Sequence, residues 1–265
     1  MINKIKNKIN QFLYKSEQQV ELLTKIAEQQ KAIEEQTRQA SNHISNLEQR
    51  LNYLLDKNPR TPENLFHAVC EVAQTQTVAF ITENLKKAIC ITNYEEFLTY
   101  AVENITVEGN ILEFGVFTGY SINYMSSKKE EMKFYGFDSF EGLPEVWEGY
   151  HSFDFNMNGN MPEVNTNVTL IKGWFDQTLP VYTKEHNENI ALLHVDCDLY
   201  SSTKTIFEHL SPYIVKDTLI IFDEFFNYPN YQEHEMKAFF EFSKEHNVQY
   251  EYLAYCGERV LIKIS

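Results

Sequence analysis

Two short apolar runs in this 265-residue chain end in paired acids: Leu193-His194-Val195-Asp196-Cys197-Asp198 and Ile220-Ile221-Phe222-Asp223-Glu224. Such runs read as buried strands whose carboxyl ends open into a site. Side by side in a parallel sheet, they would bring three or four carboxylates to one point. Bare carboxylates repel one another, and a divalent cation resolves the repulsion. The plainer reading is helix capping, as by Asp198 ahead of Ser201-Ser202-Thr203. Two acidic strand ends together favour the cation.

A second site lies upstream. Residues 110–121 read as a strand, a Gly-containing turn and a helix start, with Glu113, Gly115, Gly119, Tyr120 and Ser121 in sequence. The two glycines permit close backbone approach and positive φ. The dinucleotide pattern is missing its second glycine, and the Gly-Lys-Ser/Thr ending of a phosphate loop is absent. Glu113 is wrong for a phosphate and right for an amine. About 20 residues on, a second strand ends in Asp138-Ser139, and an acid there suits ribose hydroxyls. S-adenosylmethionine carries an amino acid, a sulfonium cation and a ribose, and no phosphate.

Several stretches in order resemble the macrocin O-methyltransferase family: Glu113-Phe114-Gly115-Val116, residues 136–144, Lys172-Gly173-Trp174-Phe175 with Thr178-Leu179-Pro180, and residues 194–203. The resemblance covers about residues 60–265. It implies a Rossmann-like α/β class I methyltransferase. The expected sheet has seven strands, five of them parallel, with a C-terminal antiparallel hairpin. It also implies S-adenosylmethionine as donor, a divalent cation such as Mg²⁺, and a sugar or glycoside hydroxyl as acceptor. Metal ligation falls on Asp196, Asp223 and Glu224. Related enzymes often carry Asp-Asp where this chain has Asp223-Glu224, which lengthens one arm of the set. The cofactor set becomes Glu113, Gly115, Gly119, Tyr120, Ser121, Asp138, Ser139 and Asp196, with Gly173 and Trp174 near the adenine.

An unactivated sugar hydroxyl is a weak nucleophile, so its proton needs an acceptor. Asp198, two residues from Asp196 on an extended chain, is the leading base. Some relatives of this fold place Lys or His where this chain has Leu199. His194 is a further candidate, although a lone His ending an apolar strand is more often structural. Tyr200 fits packing better than proton transfer, because an unperturbed phenol titrates near 10.

These residues need elements to hold them. Thr61-Pro62-Glu63 starts a helix running to Leu85, whose Leu65, Val69 and Val72 read as core. Thr92-Asn93-Tyr94 starts another, with Phe97, Tyr100, Ala101 and Val102; neither helix is assigned chemistry. Residues 145–167 form a long loop in which Trp147, Tyr150 and Phe153 either stack on an acceptor or anchor the loop. A helix over about 234–245, with Met236, Phe239, Phe240 and Phe242 as its stripe, precedes the hairpin of residues 249–255 and 259–264.

Residues 1–58 form a separate arm. Counting Ile2 as a and Ile5 as d, twelve of sixteen seam positions to Leu54 are apolar, without Gly or Pro, which is a coiled-coil signal. Asn58-Pro59-Arg60-Thr61-Pro62 ends it. The domains are therefore read as a coiled-coil arm over 1–58 and a methyltransferase domain over 59–265. The arm joins copies of the chain or docks a partner.

Net charge is −15, made of about +2 on residues 1–58 and −17 on residues 59–265, and the acidic body excludes nucleic acid and an anionic membrane surface as partners. No run approaches the roughly 20 apolar residues of a membrane span, and no secretory leader opens the chain. Cys70, Cys90, Cys197 and Cys256 form no C-x-x-C pair and read as free thiols in a cytoplasmic protein. The sequence reading is an Mg²⁺-dependent O-methyltransferase acting on a sugar, glycoside or polysaccharide. Its alternatives are methylation of a catechol or phenol, and a non-catalytic scaffold that binds S-adenosylmethionine.

Overall fold

In a computed structural model, residues 62–145, 147 and 155–265 are described, with five isolated positions of the arm. Two compact units divide the chain, Met1–Leu65 and Phe66–Ser265. The rest of the expected arm helix, Thr61, Tyr150 and Phe153 lie outside the described residues.

Helix α1 (Pro62–Asn84) leads into the short β1 (Ile89–Cys90) and α2 (Tyr94–Glu103). Then come β2 (Asn110–Phe114), α3 (Tyr120–Lys128), β3 (Phe134–Asp138), β4 (Val168–Lys172), α4 (Phe175–Glu185) and β5 (Ile190–Val195). The chain ends with α5 (Tyr200–Leu210), β6 (Leu219–Phe222), α6 (Glu235–Glu245), β7 (Tyr250–Cys256) and β8 (Arg259–Ile264). One sheet holds the strands in the order β4-β3-β2-β5-β6-β8-β7-β1. Strands β2 to β6 are parallel to one another, and β8 runs antiparallel to both β6 and β7.

That is the expected sheet plus one strand. The eighth, β1, pairs parallel with β7 through Ile89↔Ala254 and Cys90↔Tyr255. Its two residues are both exposed, too few to show any period in the sequence.

Strands β2, β5 and β6 are buried along their whole length, as parallel strands covered on both faces must be. Alternate residues feed two cores. Leu112, Phe114, Leu193, Val195 and Phe222 pack under α4, α5 and α6. Ile111, Phe134, Leu192 and Ile221 pack under α2 and α3, where Phe97, Leu98, Ala101, Ile122 and Met125 are sealed from water. Helix α2 starts where expected, with Asn93 Oδ1 accepting from the Glu96 amide (2.9 Å).

Helix α1 corrects the sequence reading. Leu65, Val69 and Val72 are exposed, at 56%, 48% and 57%. The face that packs carries Ala73, Thr77, Phe80 and Ile81. Phe80 lies 6.2 Å from Phe225 and 6.0 Å from Tyr252, and Thr77 Oγ1 accepts from the Asn227 amide at 2.9 Å. Apolar spacing marked one stripe as core, and the tertiary fold buried another.

Candidate active site

The chain leaves the sheet centre in two directions: from β2 to β3 and β4 on one side, from β5 to β6 on the other. The crevice at such a reversal, beyond the carboxyl ends of β2 and β5, is where parallel α/β sheets hold ligands. A cleft of about 790 Å³ lies there. Close approach of the strand ends makes it: the Asp196 amide donates to the Phe114 carbonyl at 2.9 Å. Gly115 sits against the same turn at φ +92°, where a Cβ would lie 1.6 Å from the Asp196 carbonyl oxygen, so no other residue fits.

Asp138 organises one wall. Its Oδ2 accepts from the Val116 and Phe117 amides (2.8 Å each) and its Oδ1 from the Phe140 amide (2.7 Å). The carboxylate thus fixes the turn after β2, including Phe117 at φ +46°, and still lines the cleft. Tyr120 and Ser121 open α3 behind Gly119, a left-handed cap with no side-chain hydrogen bond. Gly115, Tyr120, Ser121, Ser139 and Trp174 also face the cleft, whereas Glu113, Gly119 and Gly173 are not on its wall.

The acids Asp196, Asp198, Asp223 and Glu224 line the same cleft. Asp198 arrives by a different route from the expected extended alternation. The chain turns after Val195, with Leu199 N donating to Cys197 O (2.6 Å) and Asp198 held at φ +63°. A non-glycine residue in that region is strained and concentrates at functional sites. Burial pushes the Asp198 carboxyl up to about 7, reinforced by Asp223 and opposed by a hydrogen bond with Glu224. Burial and then Asp223 raise Asp196 and Glu224 as well. Glu224 Oε2 is buried without a hydrogen-bond partner.

Behind these acids stands Glu235, fully buried at the start of α6. Its Oε1 accepts from the Cys197 amide (3.4 Å) and its Oε2 from the Glu224 amide (3.2 Å), tying the two acid-bearing turns together. As a helix-start acid it carried no distinguishing signal in the sequence.

A buried chain of ionisable groups runs inward from Asp223. Arg259 Nε donates to Asp223 Oδ1 (2.8 Å) and its Nη2 lies 2.7 Å from Oδ2, a two-point fork. Tyr94 OH donates to Oδ1 (3.2 Å), and its ring lies 4.2 Å below the Arg259 guanidinium. His194 Nε2 stands 3.5 Å from Oδ1, close for an ion pair though outside hydrogen-bond geometry. Its Nδ1 lies 2.9 Å from Glu113 Oε2, and Glu113 Oε1 accepts from Ser121 Oγ (3.0 Å).

Burial alone would depress the His194 imidazole, but Asp223 and Glu113 together push it up to about 10. Asp223 moves the opposite way: burial raises it, and His194 and Arg259 outweigh burial to hold it below the usual carboxylate range. Burial raises Glu113, against the pull of His194 and Ser121. His194 is therefore an internal cation linking Glu113 to Asp223, sealed from the cleft.

Sequence reasoning missed Tyr94 and Arg259. Their elements were legible, but nothing in a helix start or a hairpin strand marks a side chain for a carboxylate over 30 residues away. Trp147 settles one open alternative. It is 5% exposed and packs edge-on against Tyr228 (5.7 Å) and His234 (6.2 Å), anchoring the loop to the body.

The fold and the cleft at its switch point define a class I methyltransferase domain. A family profile described as a methyltransferase domain matches residues 112–225. A curated relative, the 8-demethyl-8-(2,3-dimethoxy-alpha-L-rhamnosyl)-tetracenomycin-C 4'-O-methyltransferase of Streptomyces olivaceus, is 30% identical over 143 residues, 45% of this chain. The match spans 54% of that relative, about half its length. Among solved structures, the calicheamicin methyltransferase CalS11 aligns with a TM-score of 0.52 at 22% identity, over 81% of this chain and 90% of its own. The O-methyltransferase NovP aligns with a TM-score of 0.50 at 21% identity, over 64% and 78%. The structural likenesses show the fold alone. The profile and the curated relative bear out the resemblance to O-methyltransferases of the macrocin kind.

Proposed function

We propose that this chain transfers the methyl group of S-adenosylmethionine to a hydroxyl of a sugar or glycoside, assisted by a divalent cation, Mg²⁺. The observation that carries the reading is one cleft lined by two sets of residues: Gly115, Tyr120, Ser121, Asp138 and Ser139, and the acids Asp196, Asp198, Asp223 and Glu224. The sugar is favoured over a catechol because the curated relative is named for methylating a rhamnosyl group.

The donor set suits a hard cation. Among the described residues, His194, Asp196 and Asp223 offer ligand atoms within 4.8 Å of one another. His194 turns its two ring nitrogens to Glu113 (2.9 Å) and Asp223 (3.5 Å). Asp196 and Asp223 remain; Glu224 Oε2 is unpartnered and lines the same cleft, but it lies outside that group. Asp223 Oδ1 is crowded by Arg259, Tyr94 and His194, whereas Oδ2 faces only Arg259 and keeps a lone pair. Carboxylate oxygens are what Mg²⁺ prefers. A cation held there lowers the pKa of an acceptor hydroxyl and orients it.

The residues divide the remaining work. Asp138 and the turn after β2 seat the ribose and amino-acid ends of the donor, Trp174 stands at the adenine end, and Asp198 takes the hydroxyl proton. Glu113 acts through Ser121 and His194, not by direct contact. The arm over 1–58 joins copies of the chain through its heptads, and the four free cysteines suit a cytoplasmic setting.

The test uses the full chain with isotope-labelled S-adenosylmethionine, Mg²⁺ and a panel of sugar nucleotides, glycosides and catechols, read by mass spectrometry. The expected product is a labelled methyl ether on a sugar hydroxyl. Asp198→Asn should bind the donor normally by calorimetry while transfer falls by about 10²–10⁴. Donor binding with no sugar methylated, or catechols methylated faster, would overturn the reading.

A further inference from the structure

We propose that the outward face of α1 is a docking surface for a second copy of this chain, α1 against α1, parallel and in register. The proposal rests on the reading that the arm joins copies, and it extends that contact into the catalytic domain. Helix α1 has two faces. Ala73, Thr77, Phe80 and Ile81 pack against the body, while Val69, Val72 and Val78 stand 48%, 57% and 58% exposed. A helix lying on a monomer usually turns charged residues outward. Between Leu65 and Thr82 this one carries a single acid, Glu71, and no Lys or Arg.

The phase of the pattern names the occupant. Counting in sevens from Leu51 and Leu54 of the arm passes Asn58 and Thr61 and arrives at Leu65, Ala68, Val72, Thr75, Ala79 and Thr82. All six are exposed on α1, and the face that packs on the body holds the opposite heptad positions. The seam thus resumes beyond Pro59 and Pro62 without losing register, and it resumes on the face the domain leaves open. A surface that continues a self-pairing repeat fits the same surface of another copy, in the isologous manner of two-fold dimers. With one acid along it, little like-charge repulsion opposes pairing.

The experiment is disulfide trapping in the full-length chain, with Cys70→Ala and Cys90→Ser removing the accessible thiols near the probe. Val72→Cys places a thiol at an a position, where a paired copy brings its equivalent within bonding reach. Gln74→Cys is exposed on the same helix but off the seam. Light scattering on the unsubstituted chain is expected to give a multiple of 31.2 kDa. On mild oxidation Val72→Cys should form a covalent dimer and Gln74→Cys should not. A monomeric unsubstituted chain overturns both the arm reading and this proposal. An oligomer in which Val72→Cys fails to link, or links no better than Gln74→Cys, overturns this proposal alone. In that case the face is covered by the chain's own arm or by another protein.

Discussion

Asp223 is held by four side-chain contacts, and Arg259 supplies two of them. The fork fixes the carboxylate rotamer, and the guanidinium is itself held over the Tyr94 ring. Arg259→Gln removes the charge and the two-point geometry, leaving a buried carboxylate supported by His194 and Tyr94. Outer partners of metal-ligating carboxylates typically matter by about 10–100-fold in metal affinity or activity. A loss of that size is expected in Mg²⁺ affinity, measured by calorimetry or by displacement of Mn²⁺. Arg259→Lys keeps the charge without the fork and should fall between. Equal Mg²⁺ affinity in all three proteins would show that Arg259 does not position the site. Gly115→Ala is expected to be more damaging still, since its Cβ would sit inside the Asp196 carbonyl. Lost soluble yield or a sharply lowered Tm would report it.

At the scale of elements, the site depends on turns being tied to one another across the sheet ends. Glu235 joins the turns after β5 and β6, and Thr77 of α1 joins the segment after β6 to the helix that leads into the domain. Thr77 is 3% exposed, so its hydroxyl is the Asn227 amide's partner in a dry place. Thr77→Val keeps the shape and removes the acceptor, which is expected to cost about 1–3 kcal/mol in denaturant unfolding. An unchanged midpoint and slope would mean that the amide finds another partner. The aromatic packing of α6 over Phe207, Phe222 and Phe225 is a separate support that this substitution leaves intact.

At the scale of the whole molecule, the acidic body concentrates uncompensated carboxylates in one cleft. Asp196, Asp198, Glu224 and Glu235 are all raised, with burial the leading cause in each. A cation that binds only the folded chain relieves that repulsion and adds stability as RT ln(1 + [L]/Kd), about 2.7 kcal/mol at a hundredfold excess over Kd. Dialysis against a chelator is therefore expected to abolish methyl transfer and lower the Tm, and added Mg²⁺ to restore both. A Tm indifferent to Mg²⁺ would count against the metal while leaving the donor cleft standing.

Much of the fold was legible because its signals are local. Continuous apolar runs mark strands buried on both faces, Asn93 marks a helix start, and glycines mark the turn after β2. The acids at 196, 198, 223 and 224 were legible as strand ends that must converge if the sheet is parallel. Helix α1 and β1 show the limit from the other side. Spacing put Leu65, Val69 and Val72 in the core, but the body had room for only one face of that helix and took Ala73, Thr77 and Phe80. Strand β1 is two residues long and exists only because β7 is beside it. By itself the sequence determined the main strands, the glycine turn after β2 and the acid set, because each is written in neighbouring residues. The tertiary structure alone decided that Glu113 faces His194 instead of the cleft, that Asp198 enters through a left-handed turn, and that Tyr94 and Arg259 grip Asp223. Those contacts join residues up to 129 positions apart, and only the packed sheet brings them within hydrogen-bond reach.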